Sequence, residues 1–386
     1  TIEYARDVAQ RLAPDMENDI IINIHGGAYT TTEPITFTQE DSGKNGYDII
    51  YRAAENEKPI ISGGSAITGW EKVSDQTLWK TTLPEDIGVF RQLYVNGKRA
   101  QRAGTEETII GTRWDTGDFS ERDGIRILSS SLPDFSRPQD LELHWIYDWK
   151  DMRLLVDDIT ALDENSRTIW MRQPYYLYAL WMEGENHEWI PKYNIPFYVE
   201  NAFELLDQPG EWYFNEDTRE IFYWPRENED LAEAETIVPQ AQSLMEISGG
   251  LVGDEVHNLV FEGLTFAYAG WTRANEQGVF GWQAQNLIAD TGWGEEMTPA
   301  HVQINAAHDI RIERCRFESL GAIGMHLGNN VSETTIQGNL FQDISNAAIS
   351  AGHWEHAYIT APLLQVTPYN NLIANNLIID VGVEYW

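Results

Sequence analysis

The sequence predicts an all-β fold: a right-handed parallel β-helix with an inserted antiparallel β-sandwich-like domain and an N-terminal capping helix. Three observations carry this. Four segments of the last third align without gaps: Asn258 to Phe266 (NLVFEGLTF), Asp309 to Phe317 (DIRIERCRF), Glu333 to Phe341 (ETTIQGNLF) and Asn370 to Ile378 (NNLIANNLI). Phe261, Ile312, Ile336 and Ile373 then share one column, and Phe266, Phe317, Phe341 and Ile378 share another. Apolar residues in these segments alternate instead of following a helical period, so each unit reads as strand, tight turn and strand. A lone unit of this kind cannot bury its apolar face, so neighbours must stack. The middle third, by contrast, carries hairpin signals.

From the N-terminus, Ile2, Ala5, Val8 and Leu12 are spaced for a helix over Thr1 to Leu12, which caps the open end of the first coil. Short strands follow at Asp19 to Ile24, Ile35 to Thr38, Asp48 to Tyr51 and Pro59 to Ser62. The pattern changes near Val89. Arg91 to Gln101 reads as a hairpin turning at Asn96-Gly97, and Glu211 to Trp224 as another. Leu141 to Ile159 and Thr168 to Arg172 alternate as strands. Pro174 to Trp189 reads as a groove-covering loop or as ordinary packing. The expected organisation is residues 1–88 as cap and first coils, 89–239 as the insertion, and 240–386 as the coils bearing the cleft. Ile312 and Ile336 lie 24 residues apart, one coil. Ile336 and Ile373 lie 37 apart, one coil with an insertion near His353 to Pro368. Phe261 and Ile312 lie 51 apart, room for two coils with His301 to Asn305 as the extra strand.

The charge is −35, from 26 basic and 61 acidic residues. Such a surface repels nucleic acid and anionic membranes, so neither is an expected partner. No apolar run is long enough to span a bilayer. The 15 Trp and 17 Tyr suit both a bulky core and a carbohydrate groove. The single cysteine, Cys315, takes the place of Leu264 in the repeat and is read as an inward structural thiol. The chain opens at Thr1 without Met and stops mid-repeat at Trp386, so a processed or trimmed chain is expected.

The repeat register places Ser319, Asp343 and Asp380 in one column. Adjacent coils stack roughly 4.7–4.9 Å apart, close to the about 5–5.5 Å carboxylate separation of retaining glycosidases. Glu384, four residues beyond Asp380, offers another carboxylate. Asp also favours turns for backbone reasons, which is the competing reading of Asp343. Asn339 and Asn376 share a column and read as a structural amide ladder. His353-Trp354-Glu355-His356 lacks the spacing of a helical zinc motif, so His353 and Trp354 are read as sugar contacts, and no metal site is assigned. His326 is another candidate contact, whereas His301 and His308 read as packing or turn residues. No Lys follows Lys192 and no Lys or Arg follows Arg316, which argues against a lyase that neutralises a uronate with a basic side chain. Calcium held by carboxylates keeps a lyase in play.

These residues resemble those of the right-handed parallel β-helix glycoside hydrolases, most closely glycoside hydrolase family 141. The resemblance spans nearly the whole chain and rests on six segments. They are PIISGGSAITGW (Pro59 to Trp70), FRQLYVNGKRAQR (Phe90 to Arg102), LDQPGEWYFNEDTREIFYWP (Leu206 to Pro225), FESLGAIGMHL (Phe317 to Leu327), FQDISNAAIS (Phe341 to Ser350) and VGVEYW (Val381 to Trp386). It implies action on plant or algal glycans such as α-L-fucosides or xylan, and further coils beyond the VGVEY segment. It carries over Asp343 and Glu384 as acidic site residues, with Asp380 as the third candidate. The expected function is a secreted, periplasmic or cell-surface glycoside hydrolase. It acts as a monomer on a polysaccharide or oligosaccharide, with no cofactor unless calcium binds, and His326, His353, Trp354 and Trp386 line the sugar site. The alternatives are a calcium-dependent polysaccharide lyase and a non-catalytic carbohydrate-binding β-helix.

Overall fold

The computed structural model describes the chain except residues 74–76, 115–122, 148–149, 182–195, 251–252, 281–285, 289–294, 353–366 and 386. It divides into two compact units. One comprises Thr1–Ala66, Ile237–Trp271 and Thr298–Tyr385, and the other Ile67–Thr236 with Thr272–Met297.

The first unit is a stack of coils with three parallel sheets. The first sheet contains Ile20–Ile24, Ile49–Ala53, Val256–Glu262, Ala307–Glu313, Thr335–Gln337 and Leu372–Ala374. The second contains Gly27–Thr30, Pro59–Ser62, Thr265–Ala267, Arg316–Leu320, Leu340–Ile344 and Leu377–Val381. The third contains Ile35–Phe37, Met245–Ser248, Ala300–Asn305, Ile323–Leu327 and Ile349–Ala351. Each coil therefore has three strands, where the repeat alignment resolved two.

The core is built from residues stacked in register, whose columns continue into the exposed Ile373 and Ile378 of the last described coil. Tyr51, Phe261, Ile312, Ile336 and Ile373 form one column. Ile61, Phe266, Phe317, Phe341 and Ile378 form the second. Ile35, Met245, Val302, Met325 and Ile349 form the third. The Phe266–Phe317 and Phe317–Phe341 rings stack at 5.0 and 4.6 Å, tilted by only 9° and 7°. Both predicted columns are present.

One spacing is corrected. Phe261 pairs directly with Ile312 on the neighbouring coil, so the 51 residues between them are one coil and not two. The extra length is the excursion 272–297, which belongs to the other unit. His301 to Asn305 is that coil's third-sheet strand.

The N-terminal helix runs Ile2–Leu12, capped by the Thr1 hydroxyl, which accepts from the Tyr4 N–H at 3.2 Å. Ile2 and Ala9 on one face join the coil core. The Asn339–Asn376 ladder is also present. The Asn339 amide donates to Asn376 Oδ1 at 3.0 Å and to the Ile312 carbonyl at 2.9 Å, and Asn339 Oδ1 accepts from the Cys315 N–H at 2.8 Å. Cys315 is buried, and that burial pushes its thiol up to about 12, so it is inert packing.

The second unit is largely antiparallel. Its larger sheet orders Ile109–Ile110, Pro196–Glu200, Glu142–Tyr147, Lys150–Ala161, Ser166–Met171, Gly124–Leu128 and Thr112–Trp114, with Val279–Phe280 added beside Lys150–Ala161. A five-stranded sheet holds the predicted hairpin Glu211–Asn215 and Glu220–Tyr223. The other predicted hairpin turns at Asn96 and Gly97, whose φ values of 50° and 71° are the left-handed pair that a tight two-residue turn requires. Within Pro174 to Trp189, Tyr175–Trp181 is a short helix with Tyr176 and Ala179 in the core; residues 182–189 lie outside the described residues.

Candidate active site

The corner between the second and third sheets is where the candidate carboxylates sit, and local geometry explains why polar residues can stand there. Phe317 and Leu320 both point into the coil core, as do Phe341 and Ile344. Residues three apart in a regular strand face opposite sides. The chain resolves this with a left-handed residue between them: φ is 56° at Ser319, 53° at Asp343 and 50° at Asp380. Tyr268, at 59°, holds the same place one coil earlier. The kink releases one side chain per coil from the inward alternation, and the pairing of neighbouring strands stacks those side chains in a column.

The predicted column of Ser319, Asp343 and Asp380 is therefore present. The Ser319 hydroxyl donates to Asp343 Oδ2 at 3.2 Å. Asp343 is half-buried, whereas Asp380 is exposed. Glu384 reaches the same corner by another route. The Ser345 hydroxyl, two residues beyond Asp343, donates to Glu384 Oε2 at 2.8 Å. The Ser345 carbonyl accepts the Glu384 N–H at 3.1 Å and the Tyr385 N–H at 2.7 Å. Gly382 N–H also bonds the Asn346 carbonyl at 2.9 Å, so the backbone of residues 382–385 is pinned to the segment following Asp343. Asp343 and Asp380 thus share a register column, and Glu384 is tied through Ser345 to the segment that follows Asp343.

Sequence reasoning did not find three supporting residues: Ser345, Trp271 and Tyr385. Trp271 and Tyr385 are buried and meet edge to face at 5.4 Å. Tyr385 follows Glu384 directly, so this packing fixes the carboxylate's backbone. Only the spacing of the VGVEYW segment relative to FQDIS, one coil apart, signals these roles.

His326 stands apart from the corner. It is on the third-sheet strand Ile323–Leu327, between Gln303 and Ser350 in register. His353, Trp354 and Trp386 lie outside the described residues. His301 is fully buried. Its Nε2 accepts the Ala322 N–H at 2.8 Å, so its Nδ1 carries the proton and donates to the Gln242 carbonyl at 2.8 Å. His308 stacks on His257 at 5.0 Å. Both have the packing roles expected of them. Among the described residues, no group of three or more His, Cys, Asp or Glu is arranged to hold a metal ion.

Comparison with known proteins adds identity to this geometry. Residues 76–226 match the family model described as the GH141 insertion domain. A solved structure titled "Glycoside hydrolase" superposes with a TM-score of 0.82 at 27% sequence identity, covering 100% of this chain and 70% of that one. Residues 76–226 are therefore similar to the GH141 insertion domain, and the chain as a whole is similar to a glycoside hydrolase. A second solved structure, titled "The complex structure of XylC with xylose", aligns with a TM-score of 0.42 at 14% identity, over 100% of this chain and 51% of that one, a likeness too weak to carry weight. No curated protein matches the sequence. The GH141 match, 76–226, includes both hairpins, Arg91 to Gln101 and Glu211 to Trp224. Among the described residues, no helix is long and apolar enough to cross a membrane.

Proposed function

We propose that this protein hydrolyses glycosidic bonds of a plant or algal polysaccharide at the corner bearing Asp343, Asp380 and Glu384. The reading rests on one observation: Asp343 and Glu384, on successive coils, are both held by serine hydroxyls at a single corner. Glycoside hydrolysis needs two carboxyl groups flanking the scissile bond. One protonates the leaving-group oxygen, and the other supports the anomeric carbon by direct attack or by activating water. Asp343 and Glu384 take these two places, and the exposed Asp380 above Asp343 is the third carboxylate. Neighbouring coils stack roughly 4.7–4.9 Å apart, which favours the short separation of a retaining mechanism. Sugar contacts come from His326, His353, Trp354 and Trp386. A polysaccharide substrate puts the protein in a secreted, periplasmic or cell-surface setting.

The test is a reducing-end assay on a panel of plant and algal polysaccharides, with near-ultraviolet absorbance followed in parallel. New reducing ends without absorbance gain support hydrolysis and name the substrate class. An absorbing, unsaturated product that a chelator abolishes replaces this reading with a calcium-dependent lyase.

A further inference from the structure

The second unit encloses a cavity of about 230 Å³ that the proposed reaction does not use. Six charged residues line it: Arg102, Arg137, Arg172, Asp140, Glu142 and Glu216. Most of that charge is already matched within the wall. Asp140 accepts from Arg137 Nε at 2.6 Å and Nη2 at 3.1 Å, and from the Tyr213 hydroxyl at 2.6 Å. Glu142 is gripped by Arg91 at 2.5 and 2.8 Å, and by Arg102 and Arg153 at 3.2 Å each. Arg172 and Glu216 differ. Arg172 donates from Nη2 to the backbone carbonyls of Gln139 and Val156, at 2.9 and 3.5 Å, and enters no salt bridge among the described residues. Glu216 likewise enters none, and partial burial, then the neighbouring Asp140, raise its carboxyl above the ordinary range.

The lining thus includes a planar donor fork, a carboxyl acceptor, the amide residue Gln139 and the aromatic Phe214. A donor fork and a carboxyl acceptor lining one cavity suit hydroxyl groups, each of which both donates and accepts. An aromatic face suits the apolar side of a pyranose ring. The cavity is smaller than the about 300–1,000 Å³ typical of drug-sized ligands, which suits a single sugar ring or the end of a chain. An anionic sugar would meet Glu216 and a protein of net charge −35.

The geometry points to a second, non-catalytic sugar-binding site in the insertion unit, taking one neutral monosaccharide unit between Arg172, Glu216 and Phe214. Its function is to hold a glycan chain while the corner carboxylates act elsewhere. It does not depend on the assignment of those carboxylates.

The experiment is saturation-transfer NMR and calorimetric titration of the full chain with glucose, galactose, xylose, fucose, arabinose and galacturonic acid. These are run on the wild type, Asp343→Asn, Glu216→Gln and Arg172→Gln. At least one neutral sugar should bind the wild type and Asp343→Asn equally, and at least tenfold more weakly to Glu216→Gln and Arg172→Gln. Glu216 lies at the surface, so its variant keeps the measurement valid should Arg172→Gln fail to fold; circular dichroism verifies each. Binding of galacturonic acid alone would overturn the neutral-sugar assignment. Binding unaffected by the Glu216 substitution, or no sugar binding at all, would overturn the site.

Discussion

The two units solve the problem of a stable interior in opposite ways. The coil unit repeats one solution. Phe266, Phe317 and Phe341 lie on one another with nearly parallel rings, and an Asn ladder pairs the buried Asn339 with Asn376 at the neighbouring turn. The insertion unit has no repeat and instead buries charge. Arg91, Glu142 and Arg153 are each at most 5% exposed and form one ion network. Repetition lets the coil unit duplicate a corner position at every turn, so acidic side chains can be stacked by register alone. The network ties together strands far apart in sequence, and every member depends on the others.

Breaking each interior separately sharpens that contrast. Glu142→Gln removes the buried carboxylate that Arg91, Arg102 and Arg153 share and should destabilise the insertion unit by about 3–5 kcal/mol, the usual cost of halving a buried ion pair. Chemical denaturation followed at the insertion's tryptophans measures it; a loss below about 1 kcal/mol would show that the network is not holding that unit together. Phe317→Ala removes the middle ring of a stack and should cost about 3–5 kcal/mol in the coil unit, because both neighbouring rings lose a partner and a cavity remains. An unchanged coil transition would contradict the stacked core.

Acid separates the units without mutation. Burial alone would raise Glu142 and Glu200, but arginines outweigh it: Arg91, Arg102 and Arg153 hold Glu142 well below its ordinary 4.5, and Arg153 chiefly holds Glu200 down at about 2. A depressed folded pKa contributes stability that is full above the unfolded pKa and lost as pH falls through the folded one. The insertion unit should therefore weaken progressively between about pH 4.5 and pH 2. His144 has the opposite sign. Burial and Arg153 oppose its charge, but the Asp151 and Glu200 carboxylates prevail and raise its pKa, so its contribution is present below 6.5 and fades at higher pH. Hydrogen exchange across this range should show the insertion opening before the coils; simultaneous opening would deny the distinction. The smallest effect is expected at the ladder. Asn339→Ala removes the acceptor of the Cys315 N–H and should cost about 1–3 kcal/mol, read as a shift of the coil transition.

The same contrast explains what could be read from sequence. Columns such as Phe317–Phe341–Ile378 were legible because the first two strands of each coil keep fixed spacing. The third sheet was not, because Met245–Ser248 and Ala300–Asn305 follow excursions of different length, and 272–297 made one coil look like two. Asp343 and Asp380 were legible from the same register. The kink that frees them is encoded as apolar residues three apart, Phe341 with Ile344, a signal that alternation alone misreads. Glu384's tie to Ser345 was not legible, since it depends on how the chain turns after Val381. Nor was the ion network, whose members Arg91, Glu142, Arg153 and Glu200 meet only through sheet pairing.

The central claim is that register, rather than stability, placed the carboxylates at that corner. The most direct measurement is glycoside turnover by wild type, Asp343→Asn and Glu384→Gln on the same polysaccharide, with thermal unfolding of each. Both substitutions should lower turnover by about 10²–10⁴-fold while the unfolding temperature stays within a few degrees of wild type. Undiminished turnover in either variant, with the fold intact, would contradict the assignment of that carboxylate.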